Sequence, residues 1–260
     1  MQTNDKTYWF LFRDKDLFLR RTGNTYAIPY EVTSPVTLTT EPFLVSTLLP
    51  APCAAAYVPN EAQTPPNYEF VGLRKCFELL TSAAYRSAGK CAELLYWDLH
   101  SRYCTDCGTP MQQATAISKR CPACGHEMWP MLATAIIVLV QRGDEVLLVQ
   151  AKNFVSDFYG LVAGFVETGE TLEECVHREV MEETQLSITN VRYFASQPWP
   201  YPCGLMVGFM ADYESGDLCL QQTELNTGAW FSRTHLPKIP DKLSMARMLL
   251  DAWIEQGALE

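Results

Sequence analysis

The sequence predicts an α/β protein made of three consecutive parts. Three observations support this: 48% hydrophobic against 19% charged residues, two closely spaced cysteine pairs near the middle, and β-type and helical segments on both sides of them. Such a composition is typical of packed globular chains, and 260 residues are enough for more than one domain. The predicted parts are an N-terminal α+β domain (1–100), a four-cysteine element (101–128) and a C-terminal α/β domain (129–260).

Charge and hydrophobicity exclude two classes of protein. Thirty acidic against twenty basic residues leave a net charge of −10, the wrong sign for a protein that coats duplex nucleic acid, although contact with an RNA end stays open. The longest apolar run, 131–140, is half of the roughly 20 residues that a membrane helix needs, and residues 1–6 do not resemble an export signal. We therefore expect a cytoplasmic protein that is not inserted in a membrane.

The N-terminal part combines short strands with helices. Strands are predicted at 8–12, 16–20 and 43–45, followed by a proline-rich stretch at 50–66 and by helices at about 69–86 and 90–103 that are interrupted at Gly89. This part has no cluster of acids or histidines. A scaffold, the rim of a substrate site and a dimer surface are its leading interpretations.

Two C-x-x-C pairs predict a structural zinc site. The ligands would be Cys104, Cys107, Cys121 and Cys124, with thirteen residues between the pairs. Four thiolates form a closed tetrahedral shell that leaves no position for a reactive water, so the zinc would stabilise the fold. Free or redox-active thiols are the alternative interpretation. We expect His126 to be a polar neighbour, and the six other cysteines to be small buried residues of a reducing compartment.

The C-terminal part alternates strands with two helices. The strands are predicted at 132–140, 145–150, 191–196, 205–213, 217–220 and 228–231, with a hairpin at 142–144. A glycine-rich loop (160–169) leads into a helix that runs from Thr171 to about Thr184. A last helix, capped by Ser244, presents an apolar stripe with helical spacing.

The helix after the glycine-rich loop carries the strongest functional signal. Thr171 and Glu174 form a capping-box pattern that fixes the start of the helix. From that start, Glu179 and Glu183 project onto the same face as an apolar stripe, where two uncompensated carboxylates are costly. A hard divalent cation resolves this conflict, with Mg²⁺ as the first choice and Mn²⁺ as the second. We expect Arg178 to hold Glu174 and Glu182 instead. A solvated acidic face is the alternative.

The string from Gly164 to Leu186 resembles the Nudix box, G-x5-E-x7-R-E-U-x-E-E-x-G-U with U apolar. The resemblance implies a mixed-sheet αβα sandwich and an enzyme that hydrolyses a nucleoside diphosphate linked to another group. Gln185 stands where the box has its second glycine. We expect this residue to adopt a left-handed conformation at a cost of about 1 kcal/mol, or the helix to end differently.

A second motif narrows the substrate. The string Ser196-Gln-Pro-Trp-Pro-Tyr-Pro202 is similar to the S-Q-P-W-P-F-P-x-S motif of the NADH pyrophosphatase branch, which also has a four-cysteine zinc ribbon before the box. Tyr201 replaces the family Phe, and Gly204 stands where the motif ends in Ser, which would remove a hydroxyl near the dinucleotide.

The resemblance also implies the roles of individual residues. Phe165 would stack on the nicotinamide ring, Ala246 would lie near the adenine, and Trp129 stands where the family often has Tyr. The substrate-binding set implied is Trp129, Phe165, Gln197, Trp199, Tyr201 and Ala246. The catalytic set is Glu179, Glu182, Glu183 and Glu224, of which Glu179, Glu183 and Glu224 would hold the metal.

The expected activity is therefore hydrolysis of the pyrophosphate bond of NADH or NAD⁺ to nicotinamide mononucleotide and AMP, together with removal of NAD caps from RNA. Glu182 or Glu183 would accept the proton of the attacking water. A Nudix enzyme for ADP-ribose or other nucleotide sugars and a non-enzymatic zinc-ribbon adaptor are the alternatives. A homodimer is expected by resemblance only.

Overall fold

A computed structural model describes residues 5–152 and 157–257 of the chain. The chain divides into two compact units. Unit 1 comprises Met1–Met131 together with Pro200–Cys203, and unit 2 comprises Leu132–Trp199 and Gly204–Glu260.

Unit 1 contains a seven-stranded sheet and two helices. Its elements are β1 (Thr7–Arg13), β2 (Asp16–Thr22), β3 (Thr25–Ala27), β4 (Tyr30–Glu31), β5 (Phe43–Leu44), β6 (Cys53–Tyr57), β7 (Tyr68–Gly72), α1 (Cys76–Leu79) and α2 (Ser82–His100). The strand order is β3-β2-β1-β6-β5, with β4 paired to β1 and β7 paired to β2. Strands β1 and β6 are parallel, so the sheet is mixed.

Two predictions for the helical part of unit 1 were wrong. Residues 68–72 form strand β7, because each of them pairs with a residue of β2 between Asp16 and Arg20. The helix expected from residue 69 is therefore absent there. Helix α2 also continues through Gly89 without interruption. A Cβ atom at position 89 would lie 3.0 Å from Cγ of Pro200, so this glycine serves close packing within an unbroken helix.

The cysteine-rich part of unit 1 is a small antiparallel sheet. It consists of β8 (Gln112–Thr115), β9 (Ser118–Arg120) and β10 (Glu127–Met128), in the order β10-β9-β8. Lys119 on β9 is buried, donates to the backbone carbonyls of Asp98 and Ser101, and forms an ion pair with the side chain of Asp98. These contacts attach the small sheet to the C-terminal end of α2.

Unit 2 is a six-stranded mixed sheet between two helices, as the resemblance implied. Its elements are β11 (Ala133–Arg142), β12 (Glu145–Ala151), β13 (Val162–Phe165), α3 (Leu172–Thr184), β14 (Ser187–Trp199), β15 (Gly204–Ser215), β16 (Leu225–Ser232) and α4 (Met245–Gly257). The strand order is β14-β15-β11-β12-β16, with β13 paired to β11. Strands β11 and β15 are parallel, and the other pairs are antiparallel.

The alternating side chains of β11 build two separate cores. Ile136 and Val138 face α3, where they pack with Val176 and Val180. Leu139 faces α4, in the core that contains the fully buried Trp253. This alternation is the period of two that a strand imposes, and residues 133–140 of the apolar run lie in this one central strand.

The prediction of a strand at 217–220 was wrong. These residues form a loop whose backbone bonds run to the end of α3: the amides of Cys219 and Gln221 donate to the carbonyls of Thr184 and Glu183. The last carbonyls of a helix have no partner inside the helix, so this loop satisfies them. Glu224 is the last residue of this loop, which spans residues 216–224.

None of the helices within 5–152 and 157–257 has the length and apolar character that a membrane span requires.

Candidate active site and zinc ribbon

The four paired cysteines form a compact sulfur cluster in unit 1. Cys104 Sγ lies 3.6 Å from Cys124 Sγ, and Cys107 Sγ lies 3.5 Å from Cys121 Sγ. A tetrahedral shell with Zn–S bonds of about 2.3 Å places its sulfur atoms about 3.8 Å apart, so these side chains fit a zinc ion. Hydrogen bonding with Thr109 lowers the pKa of Cys107 to about 6. The pKa of Cys124 is raised instead, because the effect of a backbone hydrogen bond with His126 is outweighed by hydrogen bonds among the cysteine sulfurs.

The two glycines after the cysteine pairs shape this cluster. Gly108 and Gly125 have φ angles of 72° and 79°, which only glycine adopts without strain, and their amides donate to the carbonyls of Cys104 and Cys121. His126 lies outside the sulfur cluster: its Nδ1 is 3.1 Å from a carboxylate oxygen of Asp106.

In unit 2, a capping box starts helix α3 at the expected residue. The Thr171 side chain accepts from the Glu174 amide at 3.2 Å, and the Glu174 carboxylate accepts from the Thr171 amide at 2.7 Å. This start fixes the rotation of the helix. Glu179 and Glu183 therefore lie on its inner face, with only 8% and 6% of their surfaces exposed.

Burial makes the charged forms of these two glutamates costly. It raises the pKa of Glu183 to about 8, to which the negative charges of Glu179, Glu224 and Glu182 add. Burial also raises the pKa of Glu179, although its partner Arg178 acts in the opposite direction. Two buried carboxylates on one helix face are the arrangement that a divalent cation compensates.

Glu224 is an exposed residue at the end of the 216–224 loop, just before β16. Its backbone carbonyl accepts from the Lys152 amide at 2.8 Å, and its amide donates to the Gln221 carbonyl at 3.1 Å. Its negative charge raises the pKa of both Glu179 and Glu183, so it belongs to the same electrostatic cluster. The 216–224 loop thus places a carboxylate within electrostatic range of Glu179 and Glu183.

The prediction for Arg178 was wrong in part. Its guanidinium contacts Glu182 at 3.1 Å as expected, but its other carboxylate partners are Glu179 at 2.8 Å and Glu170 at 2.7 Å. Glu174 is engaged in the capping box. The same guanidinium donates to the Phe165 carbonyl at 3.0 Å, so Arg178 ties the inner helix face to strand β13 and to the loop before α3.

Gly164 on β13 leaves room for the carboxylate of Glu179. A Cβ atom built at this position would lie 1.9 Å from Cδ of Glu179, far inside contact distance. No role beyond its place in the box was predicted for this glycine. The prediction of a loop at 160–169 was wrong for residues 162–165, which form strand β13 by pairing with β11. A glycine within a strand indicates that another group approaches the backbone closely.

The carboxylates fit a hard divalent cation by donor type and charge, and two of the three, Glu179 and Glu183, are buried. The oxygens of these three carboxylates do not all lie within 4.8 Å of one another. Among the described residues, only the four cysteines bring their ligand atoms so close together. Glu179 Oε1 instead faces the Arg178 guanidinium. Oxygen donors of this kind suit Mg²⁺ or Mn²⁺.

The 196–202 segment begins on strand β14 and leaves it after Trp199. Gln197 Nε2 donates to the Leu243 carbonyl at 2.7 Å, and its Oε1 is buried with no hydrogen-bond partner among the described residues. Trp199 pairs with Gly204, where a Cβ atom would lie 3.0 Å from the Trp199 carbonyl oxygen. A serine at position 204 would therefore crowd this turn, which is a geometric reason for the glycine.

The remaining predicted residues lie in different surroundings. Phe165 is 66% exposed at the end of β13, immediately after Gly164. Ala246 is the second residue of α4 and is buried in the core that this helix packs against. Trp129 is 53% exposed and belongs to unit 1, as does Tyr201, whose hydroxyl is hydrogen-bonded to that of Tyr85.

Gln185 adopts the left-handed conformation, with φ 59° and ψ 24°, and its amide donates to the Met181 carbonyl. Of the two expected outcomes, the left-handed conformation of Gln185 is the observed one. Helix α3 therefore ends in the way that is usual for a helix with glycine at this position. Glu183, two residues earlier, lies buried on the inner face of the helix.

Comparison with known proteins gives matches along nearly the whole chain. Three family profiles match in series: the NADH pyrophosphatase-like rudimentary NUDIX domain at 6–97, the NADH pyrophosphatase zinc ribbon domain at 99–128 and the NUDIX domain at 130–252. A NUDIX hydrolase from Nitrosomonas europaea superposes with a TM-score of 0.50 at 20% identity, over 60% of this chain and 93% of that one, which supports the fold alone.

Relatives of known name are more similar in sequence. The NAD-capped RNA hydrolase NudC of Pseudomonas aeruginosa is 44% identical over 66% of this chain, and the match spans 63% of that protein's length. The protein of the same name from Deinococcus radiodurans is 39% identical over 75% of this chain and 71% of that protein. The chain belongs to the Nudix hydrolase family, in the branch defined by the NADH pyrophosphatase zinc ribbon.

Proposed function

We propose that this protein hydrolyses the pyrophosphate bond of NADH and NAD⁺, releasing nicotinamide mononucleotide and AMP, and removes NAD caps from RNA 5′ ends. The buried pair Glu179 and Glu183, with Glu224 beside it, carries the hydrolytic part of this proposal. The names of the relatives and the 196–202 segment support the choice of substrate.

Glu179, Glu183 and Glu224 would hold Mg²⁺, or Mn²⁺ as the second choice. When bound, the cation supplies charge neutralisation at the diphosphate oxygens and lowers the pKa of a water molecule. Glu182 or Glu183 would accept the proton from that water. Glu182 is half exposed, and one of its oxygens accepts from Arg178. Arg178 and Gly164 would keep Glu179 in place.

The substrate would contact both aromatic and small residues. We assign nicotinamide stacking to the exposed ring of Phe165, the shape of that pocket to Gln197 and Trp199, and the adenine side to the surroundings of Ala246. Trp129 offers a further exposed ring. Tyr201 would contribute by holding the loop after Trp199.

The division into an N-terminal domain (1–100), a zinc ribbon (101–128) and a Nudix domain (129–260) is part of the same proposal. The ribbon would hold zinc for structure alone, since all four coordination positions are thiolates. We also propose a homodimer on the strength of the family resemblance. A cytoplasmic location is supported by the ten cysteines, none of which forms a disulfide.

Product analysis tests the substrate assignment. Purified protein is incubated with NADH, NAD⁺, NAD-capped RNA and ADP-ribose, each with Mg²⁺ and with excess chelator, and the products are separated by chromatography. We expect nicotinamide mononucleotide and AMP from the dinucleotides, a 5′-monophosphate on the RNA, slower cleavage of ADP-ribose, and no products with chelator. Equal cleavage of all four substrates would contradict the nicotinamide assignment.

A further inference from the structure

We propose that the N-terminal α+β domain holds the segment that selects the nicotinamide end of the substrate, and that Arg74, Tyr85 and Gly89 are positioning residues for it. This inference rests on the proposed function. The segment Pro200–Cys203 belongs to unit 1, whereas the residues on either side of it, Trp199 and Gly204, are paired strand residues of unit 2. The middle of the motif is thus packed within the N-terminal unit.

The first contact is steric. Helix α2 passes Pro200 at Gly89, where a Cβ atom would lie 3.0 Å from Cγ, 3.6 Å from Cβ and 3.9 Å from Cδ of the proline. Pro200 is buried in this contact. Because glycine in the middle of a helix costs roughly 0.5–1 kcal/mol relative to alanine, its presence in an otherwise regular 19-residue helix indicates that close approach is needed there.

The second contact is a hydrogen bond between two tyrosines. The hydroxyls of Tyr85 on α2 and Tyr201 lie 2.6 Å apart, and Tyr85 is itself buried. Phe77 packs edge-on against the Tyr85 ring at a centroid distance of 5.5 Å, which fixes the orientation of that ring. The S-Q-P-W-P-F-P-x-S motif has Phe at the position of Tyr201, and Phe has no hydroxyl. This hydrogen bond therefore depends on the Tyr that replaces the Phe of the motif in this chain.

The third contact is a cation over an aromatic face. The Arg74 guanidinium lies 4.9 Å from the centre of the Tyr201 ring. Cation–π contacts of this kind favour one position of the ring. Together with the hydroxyl bond, the contact constrains Tyr201 at its face and at its tip.

These contacts act on Trp199 through the backbone. Trp199 is bonded directly to Pro200, and consecutive Cα atoms are about 3.8 Å apart, so a shift of the proline is transmitted to the tryptophan. A rigid aromatic pocket lowers the ordering cost of binding a ring. The contacts within unit 1 would therefore affect the dinucleotide substrate more than a diphosphate that lacks nicotinamide.

The test combines two measurements on Tyr85→Phe, Tyr201→Phe, the double variant and Gly89→Leu. Amide hydrogen exchange of the free enzyme is followed in peptides that cover 197–205, and kcat and KM are measured for NADH and ADP-ribose with Mg²⁺. Tyr96→Phe is the matched control, because it removes a hydroxyl from the same helix away from Tyr201. Thermal unfolding checks that every variant is folded.

We expect faster exchange at 197–205 in the two single Phe variants and a loss of kcat/KM for NADH of about twofold to tenfold, the range for one hydrogen bond. The loss of kcat/KM would lie mainly in KM, and the double variant would lose no more than either single variant. The kinetics of ADP-ribose cleavage would stay as in the wild type. Tyr96→Phe would show wild-type exchange and wild-type activity on NADH. Gly89→Leu would have the largest effect.

Unchanged exchange in the Tyr85 and Tyr201 variants would overturn the proposal whatever the substrate. Faster exchange with an unchanged ratio of NADH to ADP-ribose activity would overturn the link to selectivity. Absence of NADH cleavage by the unmodified enzyme would instead defeat the proposed function, while the exchange comparison would still decide the positioning role.

Discussion

Gly164 and Glu179 share one space: the carboxylate of Glu179 occupies the position that a side chain at residue 164 would need, with Cδ only 1.9 Å from a Cβ atom built there. The glycine lies on β13 and the glutamate on α3. Arg178 links the helix to the strand, because its guanidinium donates to both Glu179 and the Phe165 carbonyl. The first glycine of the box is therefore a requirement of the carboxylate cluster.

Gly164→Ala should displace the Glu179 carboxylate and lower kcat/KM for NADH by about 100-fold, the order of loss that a misplacement of about 1 Å produces. Steady-state kinetics measure the loss. Gly72→Ala is the matched control, since it is also a strand glycine and its Cβ atom would meet only Asp16 Oδ1 at 3.6 Å. Near-normal activity of Gly164→Ala would contradict the account of this contact.

Glu170→Gln should lower the stability of the protein near neutral pH and leave it almost unchanged near pH 2. Hydrogen bonding with Arg178 lowers the pKa of Glu170 to about 2, so its contribution to stability is present above its usual pKa and is lost as the pH falls toward 2. Urea unfolding at several pH values should show a flatter acid limb in Glu170→Gln than in the wild type. Glu173→Gln, an exposed neighbour, should keep the wild-type profile.

Gln185→Gly should increase the free energy of unfolding by about 1 kcal/mol, because Gln185 has a φ of 59° and a non-glycine residue pays for the left-handed conformation. Chemical denaturation measures the change. Asp14→Gly, at a φ of 52°, should gain less, since aspartate tolerates this conformation better. A loss of stability in Gln185→Gly would refute the explanation.

Cys121→Ser should abolish zinc binding and destabilise the ribbon, because Cys121 is buried and its sulfur lies within the four-cysteine cluster. Elemental analysis should find about one zinc per chain in the wild type and almost none in the variant. Cys219 and Cys203 were predicted to be buried, but Cys219 is exposed and Cys203 only half-buried. Cys219→Ser, outside the cluster, should retain the metal. Full zinc content in Cys121→Ser would show that the site lies elsewhere.

The sequence predicted those elements that local patterns determine. The capping box at Thr171, the hairpin at 142–144 and the face of Glu179 and Glu183 are all observed, since each depends on residues within one or two turns. Strand β7 could not be predicted in this way, because its structure comes from pairing with β2, some fifty residues earlier.

The same limit applies to the candidate site. The partners of Arg178 include Glu170, eight residues away across the loop, and helical spacing alone gave Glu174 in its place. The contacts of Gly89 and Tyr85 with the 200–203 segment span more than a hundred residues, so no local pattern indicates them. The relation of Glu224 to the helix depends likewise on the fold of the 216–224 loop.

Binding of Mn²⁺, followed by electron paramagnetic resonance alongside NADH cleavage in the same samples, tests the metal-holding role of the buried glutamates most directly. We expect Glu183→Gln to lose the tightly bound ion and to cleave NADH about 100-fold or more slowly, since several kcal/mol of charge stabilisation are removed. Glu173→Gln should bind and cleave normally. Wild-type Mn²⁺ affinity and turnover in Glu183→Gln would contradict the account.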